Sequence, residues 1–148
     1  MGFFAQRDGS PFFSPIAGIN GPKVMIINES AGSGGDALPF YFKLRKLGPL
    51  IGTRTWGGLV GTLGTPPTID GGGITAPSLA FYNFDGKWDV ENIGVSPDIN
   101  VENTPIANGK DAQLERAVAE AMKLLETNSQ KRVSRPAPID RVSKPKEK

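Results

Sequence analysis

The residues with the most chemical promise lie together between Glu29 and Asp36, where the chain reads Glu-Ser-Ala-Gly-Ser-Gly-Gly-Asp. Ser33 stands among Gly32, Gly34 and Gly35, a few residues beyond an apolar run and where a helical pattern opens. A serine on such a strand-to-helix turn projects from the carboxyl edge of a sheet, and small neighbours let a substrate carbonyl approach. The free N–H groups and the dipole at the helix start can then stabilise an oxyanion. The segment departs from G-x-S-x-G, because Ala31 holds the first glycine position. A plainer reading is also available, in which Ser33 only caps the helix and Asp36, three residues on, completes the cap.

A second chemistry fits the same stretch. Gly32, Gly34 and Ala37 satisfy G-x-G-x-x-A, the looser form of the dinucleotide fingerprint. The acidic residue that should follow about 20 positions later is missing, and Thr53, Arg54 and Thr55 stand there instead. Arg54 could meet a 2′-phosphate, so a dinucleotide-binding α/β module stays open as an alternative. Glu91, in Asp89-Val90-Glu91-Asn92, is a carboxylate just after a strand pattern, readable as a catalytic group or as a solvated hairpin residue. Trp56 with Gly57 and Gly58 reads either as the lining of a cleft or as simple packing.

Two absences limit the rest. The 148 residues contain no Cys, which removes disulfides, thiolate metal sites and a Cys nucleophile, and no His, the commonest general base and zinc ligand. Any Ser-His chemistry must draw its base from elsewhere, and neither a metal nor an organic cofactor is expected. The formal charge of +2 conceals a division: residues 1–126 carry 10 basic and 13 acidic side chains, residues 127–148 carry 7 and 2. The basic character belongs to the tail, which lacks the interleaved aromatics of a nucleic-acid binder, so no nucleic-acid partner is expected. No apolar run approaches the ~18–20 residues of a membrane span, and no targeting signal is visible at the start. No membrane partner is therefore expected; the cytoplasm is the favoured compartment, with a periplasmic or secreted location open should a signal peptide lie upstream.

The elements that must position these residues follow from pattern and punctuation. Gly and Pro make up 32 residues, so loops should be prominent. Residues 1–22 mix Phe3, Phe4, Phe12 and Phe13 with breakers and read as an extended lead-in. Lys23 to Asn28 predicts a strand buried on both faces. A helix is expected from about Ala37 to Leu47, with Pro39 in its first turn and Gly48 as its C-cap. Pro49 to Thr53 follows as a second buried strand, which makes the class α/β with a parallel unit. Asp85-Gly86 predicts a type I′ turn joining residues 78–84 to 87–90. Asp111 to Glu126 predicts an amphipathic helix behind an Asp cap, and residues 127–148 are expected to stay disordered.

Three stretches in order carry a family resemblance: Gly32-Ser33-x-Gly35-Asp36, then Gly52-Thr53-Arg54-Thr55-Trp56-Gly57-Gly58, then Val90-Glu91-Asn92 followed by Gly94-Val95-x-Pro97-Asp98. Over residues 20–126 the chain resembles the carboxyl-terminal part of a tricorn-type serine protease, a relative of the tail-specific, or carboxyl-terminal processing, peptidases. The resemblance implies that residues 23–126 are the C-terminal part of a ClpP/crotonase-like α/β catalytic domain. It implies Ser33 as nucleophile, the N–H of Gly34 as one oxyanion-hole donor, and Glu91 as the accessory carboxylate that helps orient a catalytic His. Tricorn-type enzymes carry that His and a second Ser far upstream, so the implied partners are a peptide or protein substrate and an upstream half of the protease domain. Homo-oligomer formation stays open. The classical processing peptidases instead use a Ser-Lys dyad, with the Lys in a stretch where this chain has Trp56-Gly57-Gly58. Alone, the chain is expected to be inactive, and a noncatalytic assembly or binding module built on the same scaffold is the other alternative.

Overall fold

A computed structural model describes residues 2–106, 109–128 and 133–138. They fall into two compact units, residues 22–128 and a second unit of residues up to 21 with the described residues after 128. In the second unit, β1 (Gly2–Phe4) pairs antiparallel with β2 (Phe12–Ser14). The predicted lead-in thus contains a short ladder, fixed by the cross-strand aromatic pairs Phe3–Phe13, edge-on at 5.3 Å, and Phe4–Phe12, stacked at 5.4 Å. Residues 133–138 have no regular secondary structure, and the remainder of the tail from 129 lies outside the described residues.

The larger unit is α/β. Strand β3 (Met25–Ile27) leads through residues 28–33 into α1 (Gly34–Leu44), and β4 (Leu50–Gly52) follows, parallel to β3. A long connection then brings β5 (Ile99–Asn100) parallel to the other side of β4, giving the order β3-β4-β5. Helix α2 (Ala112–Thr127) packs on β3 and β4, capped by Asp111, whose carboxylate accepts the Leu114 N–H at 3.0 Å. No helix among the described residues is long and apolar enough to cross a membrane.

Leu50 and Ile51 are completely buried, as a central parallel strand requires, whereas Ile26 on β3 stays 39% exposed. The expectation of burial on both faces therefore holds for β4 and fails for β3, which is an edge strand. Ile27, Phe42, Leu50, Val90 and Val95 form the core, with Met25, Phe40, Leu59 and Phe81 packed against it. Each such side chain removed from water contributes about 1.5–3 kcal/mol.

Helix α1 begins three residues earlier than predicted, so Pro39 lies in its second turn. It ends on Lys46, not on Gly48. Lys46 adopts φ 51°, its N–H donates to the Lys43 carbonyl and the Leu47 N–H to the Phe42 carbonyl, a Schellman arrangement. Gly48 serves another purpose, since a Cβ there would collide with the Lys23 carbonyl oxygen. The anticipated hairpins shrink to isolated antiparallel bridges, Gly61 with Leu79 and Tyr82 with Trp88. Only Gly86 of the Asp85-Gly86 pair has positive φ, at 73°, and the turn closes from the Gly86 N–H to the Asn83 carbonyl. This is a three-residue loop with a left-handed glycine, not the predicted type I′ turn, which needs positive φ at both central residues.

Candidate active site

Ser33 sits where β3 gives way to α1, at φ 54° and ψ −110°. A residue with a Cβ occupies this region only under constraint. The capping role open to Ser33 is not taken up: its side chain makes no cap hydrogen bond, and the residue is exposed. Its backbone is held instead, the Ser33 N–H donating to the Gly58 carbonyl at 2.9 Å, while the Ser33 carbonyl accepts the N–H groups of Asp36 and Ala37. The N–H of Gly34, first residue of α1, has no hydrogen-bond partner among the described residues. It therefore presents an unused donor at the positive end of the helix, beside the Ser33 side chain.

The other wall comes from residues 54–60, which leave the carboxyl end of β4. Successive amides of this strap are captured by two carboxylates. Gly57 and Gly58 donate to Oδ1 and Oδ2 of Asp36 at 2.8 and 3.0 Å, and Leu59 and Val60 both donate to Oε2 of Glu91 at 2.6 and 2.8 Å. Asp36 is fully buried. Two further backbone bonds fix the strap, from the Trp56 N–H to the Ala31 carbonyl at 2.8 Å and from the Asn92 N–H to the Gly57 carbonyl at 2.7 Å. The indole of Trp56 lies against Gly32, where a Cβ would strike the ring, so packing accounts for that glycine.

Glu91 belongs to a third segment, residues 90–94, bent by two left-handed non-glycine residues, Val90 at φ 69° and Asn92 at φ 57°. Left-handed geometry at a β-branched residue is a genuine outlier. The surroundings over-determine it: Val90 is buried in the core, and its carbonyl accepts the N–H groups of Ile93 and Gly94 at 3.0 and 2.7 Å. Thr55, also fully buried, joins this segment to the strap by accepting the Val95 N–H on its hydroxyl at 2.7 Å and donating its own N–H to the Val95 carbonyl.

The three segments enclose a cleft of about 560 Å³ lined by Ser33, Arg54, Trp56, Gly57, Gly58, Val60, Glu91 and Asn92. The expected site residues Ser33 and Glu91 thus face one cavity, with Gly34 adjoining Ser33. Arg54 is anchored by a 2.5 Å hydrogen bond from Nη1 to the Ile93 carbonyl. Behind the cleft, Glu29 accepts from the Thr53 hydroxyl at 2.5 Å and from Asn103 Nδ2 at 2.9 Å. The Thr53 bond first, then the backbone and Asn103 bonds, hold the Glu29 carboxyl below its usual range. Among the described residues no group of three or more His, Cys, Asp or Glu side chains could hold a metal ion.

Sequence reasoning missed Asp36 and Thr55 as builders of the site. Asp36 carried a signal, an acid in the first turn after a glycine-rich loop, but that pattern fits an ordinary cap equally well. Thr55 carried none.

Comparison with known proteins bears on the same segments. The tricorn protease of Thermoplasma acidophilum is 42% identical over 120 residues, which cover 80% of this chain and 11% of that protein. A tricorn protease homolog of Saccharolobus solfataricus is 43% identical over 129 residues, covering 84% and 12%. The chain therefore spans about a tenth of the length of the curated relatives it matches. The crystal structure of the tricorn protease superposes with a TM-score of 0.78 at 41% identity, over 85% of this chain and 12% of that one. The profile of peptidase family S41 matches residues 5–101, which include all three segments of the cleft, and the chain belongs to that family of peptidases.

Proposed function

We propose that this chain carries the nucleophile-bearing part of a tricorn-type serine endopeptidase site, on a ClpP/crotonase-like core. The observation that carries the reading is Ser33: a strained, exposed serine in a cleft, its hydroxyl not engaged as a cap, next to the unpartnered Gly34 N–H. Its Oγ attacks the scissile carbonyl and gives its proton to a base. The carbonyl oxygen becomes an oxyanion received by the Gly34 N–H, and collapse expels the amine, which takes the proton back, leaving an ester on Ser33. Water then attacks the ester and gives a proton to the same base, which passes it to the departing Ser33 Oγ, so the acid and the free hydroxyl are released.

The base is the missing part. With no His among the 148 residues, the reading assigns it to polypeptide outside them, and Glu91 to the set of groups that orient it. Only Oε2 of Glu91 accepts from the strap, which leaves Oε1 for that purpose. The 148-residue chain by itself should then have negligible peptidase activity, because an unassisted serine hydroxyl is a weak nucleophile.

The test is covalent. A fluorophosphonate should add to Ser33 in the full native gene product, as mapped by peptide mass, and Ser33→Ala should abolish both the adduct and peptide hydrolysis. Hydrolysis that survives Ser33→Ala rejects the reading.

A further inference from the structure

We infer that Asp36 is a positioning residue for Ser33, an inference that rests on Ser33 being the nucleophile. Burying a carboxylate is unfavourable unless other groups replace its hydration. Among the described residues Asp36 forms no ion pair; both of its oxygens accept backbone N–H groups of the strap instead. It does not line the cleft, so it acts through its neighbours and not on substrate.

Three hydrogen bonds close a ring. The Ser33 N–H donates to the Gly58 carbonyl at 2.9 Å, the Gly58 N–H to Asp36 Oδ2 at 3.0 Å, and the Asp36 N–H to the Ser33 carbonyl at 3.0 Å. The ring spans the residue whose backbone is strained. With glycines on both sides of Ser33 and no side-chain cap at the helix start, nothing local would keep φ at 54°, and the ring supplies the missing constraint. Two further bonds extend its reach: Asp36 Oδ1 holds the Gly57 N–H, and the Gly57 carbonyl holds the Asn92 N–H beside Glu91. One side chain therefore sets the separation of the serine turn, the strap and the glutamate loop.

The test uses the full native gene product and three variants, Asp36→Asn, Asp36→Ala and Ser33→Ala, assayed on the best-cleaved member of a peptidyl-aminomethylcoumarin panel. Misplacing a reacting group by an ångström costs about 100-fold, so Asp36→Asn, which sets an amide donor against N–H donors, should lower kcat by about 100-fold and move KM less than threefold. Fluorophosphonate labelling of Ser33 should slow in parallel. Hydrogen exchange at Ser33, Gly57 and Gly58 should accelerate while β4 and α2 keep their protection, a split that general destabilisation would not give. Asp36→Ala, which removes the acceptor without adding a donor, should behave alike if the Asn variant does not fold. A folded variant with kcat within threefold of wild type overturns the inference, and so does loss of the whole fold in both variants, since Asp36 would then serve the core as such. Activity surviving in Ser33→Ala rejects the nucleophile reading itself, whereas an inactive Ser33→Ala beside an active Asp36→Asn rejects only the positioning role.

Discussion

Asp36 and Glu91 divide four consecutive amides of one strap between them, Gly57 and Gly58 going to Asp36, Leu59 and Val60 to Glu91. These four N–H groups go to carboxylates and not to a neighbouring strand, so side chains do the work of a ladder here. The replacement ties the strap at one end to α1, which Ser33 precedes, and at the other to the loop that carries Glu91.

Removing Glu91 should therefore cost stability apart from any catalytic effect. Glu91→Ala orphans two amides, each worth about 1–3 kcal/mol when left without a partner and out of water, and partial exposure of the site places the expected loss near the lower end. Glu91→Gln keeps one acceptor oxygen and should lose less than Glu91→Ala. Urea unfolding of the three proteins measures this, and equal stability of Ala and Gln variants would show that the strap does not depend on that oxygen.

Thr55 gives a cleaner case, because its hydroxyl accepts the Val95 N–H in a fully buried setting. Thr55→Val preserves shape and removes the acceptor, with an expected loss of about 1–3 kcal/mol. Thr55→Ser should retain most of the stability, and a Val variant as stable as wild type in urea would refute the role of this bond.

Asp98 makes the fold sensitive to acid. Burial pushes its carboxyl upward, but the Leu50 N–H at 2.8 Å and Lys43 Nζ at 2.9 Å together outweigh that and hold it below the usual carboxylate range. A carboxyl with a depressed folded value stabilises the protein above its unfolded pKa, and that share is lost as pH falls through the folded value. Asp98→Asn should be less stable at pH 7 and show a shallower decline between about pH 5 and 3. Urea midpoints across that range provide the check, and parallel declines would count against it. The effect should be small, since both side chains are partly exposed.

Where the residues announced the fold, they did so through burial and punctuation. The run at Leu50 and Ile51 declared a buried strand, and Asp111 declared its helix. Local signals misled where a tertiary contact had a prior claim on the same residue. Gly48 looked like a C-cap because glycine tolerates left-handed geometry, yet it is required by the approach of the Lys23 carbonyl, and the left-handed position falls to Lys46. At the site, Ser33, Gly34 and Glu91 stood out through motif and resemblance, but Asp36 and Thr55 act through partners 21 and 40 positions away, a separation no local pattern encodes.

Lys46 bears the cost of left-handed geometry, about 1 kcal/mol for a residue with a Cβ, so Lys46→Gly should raise stability by about that amount. Gly48→Ala should lower it by about 1–3 kcal/mol through overpacking against backbone. Thermal unfolding of both variants distinguishes the two glycine roles, and the opposite pair of signs would restore Gly48 as the cap.

The same logic applied to Ser33 separates stability from chemistry. Its backbone at φ 54° and ψ −110° costs on the order of 1–3 kcal/mol, and glycine reaches that conformation with little strain. Ser33→Gly should thus raise the unfolding temperature while removing the proposed nucleophile. Ser33→Ala keeps the Cβ and the strain, so it should lose activity without gaining stability. Calorimetry on the two variants reads the difference directly. If Gly stabilises no more than Ala, the turn is not strained in the way its dihedrals indicate. If Gly stabilises and Ala does not, the fold is shown to hold Ser33 against its own preference, which is the behaviour expected of a residue kept in place for what its hydroxyl does.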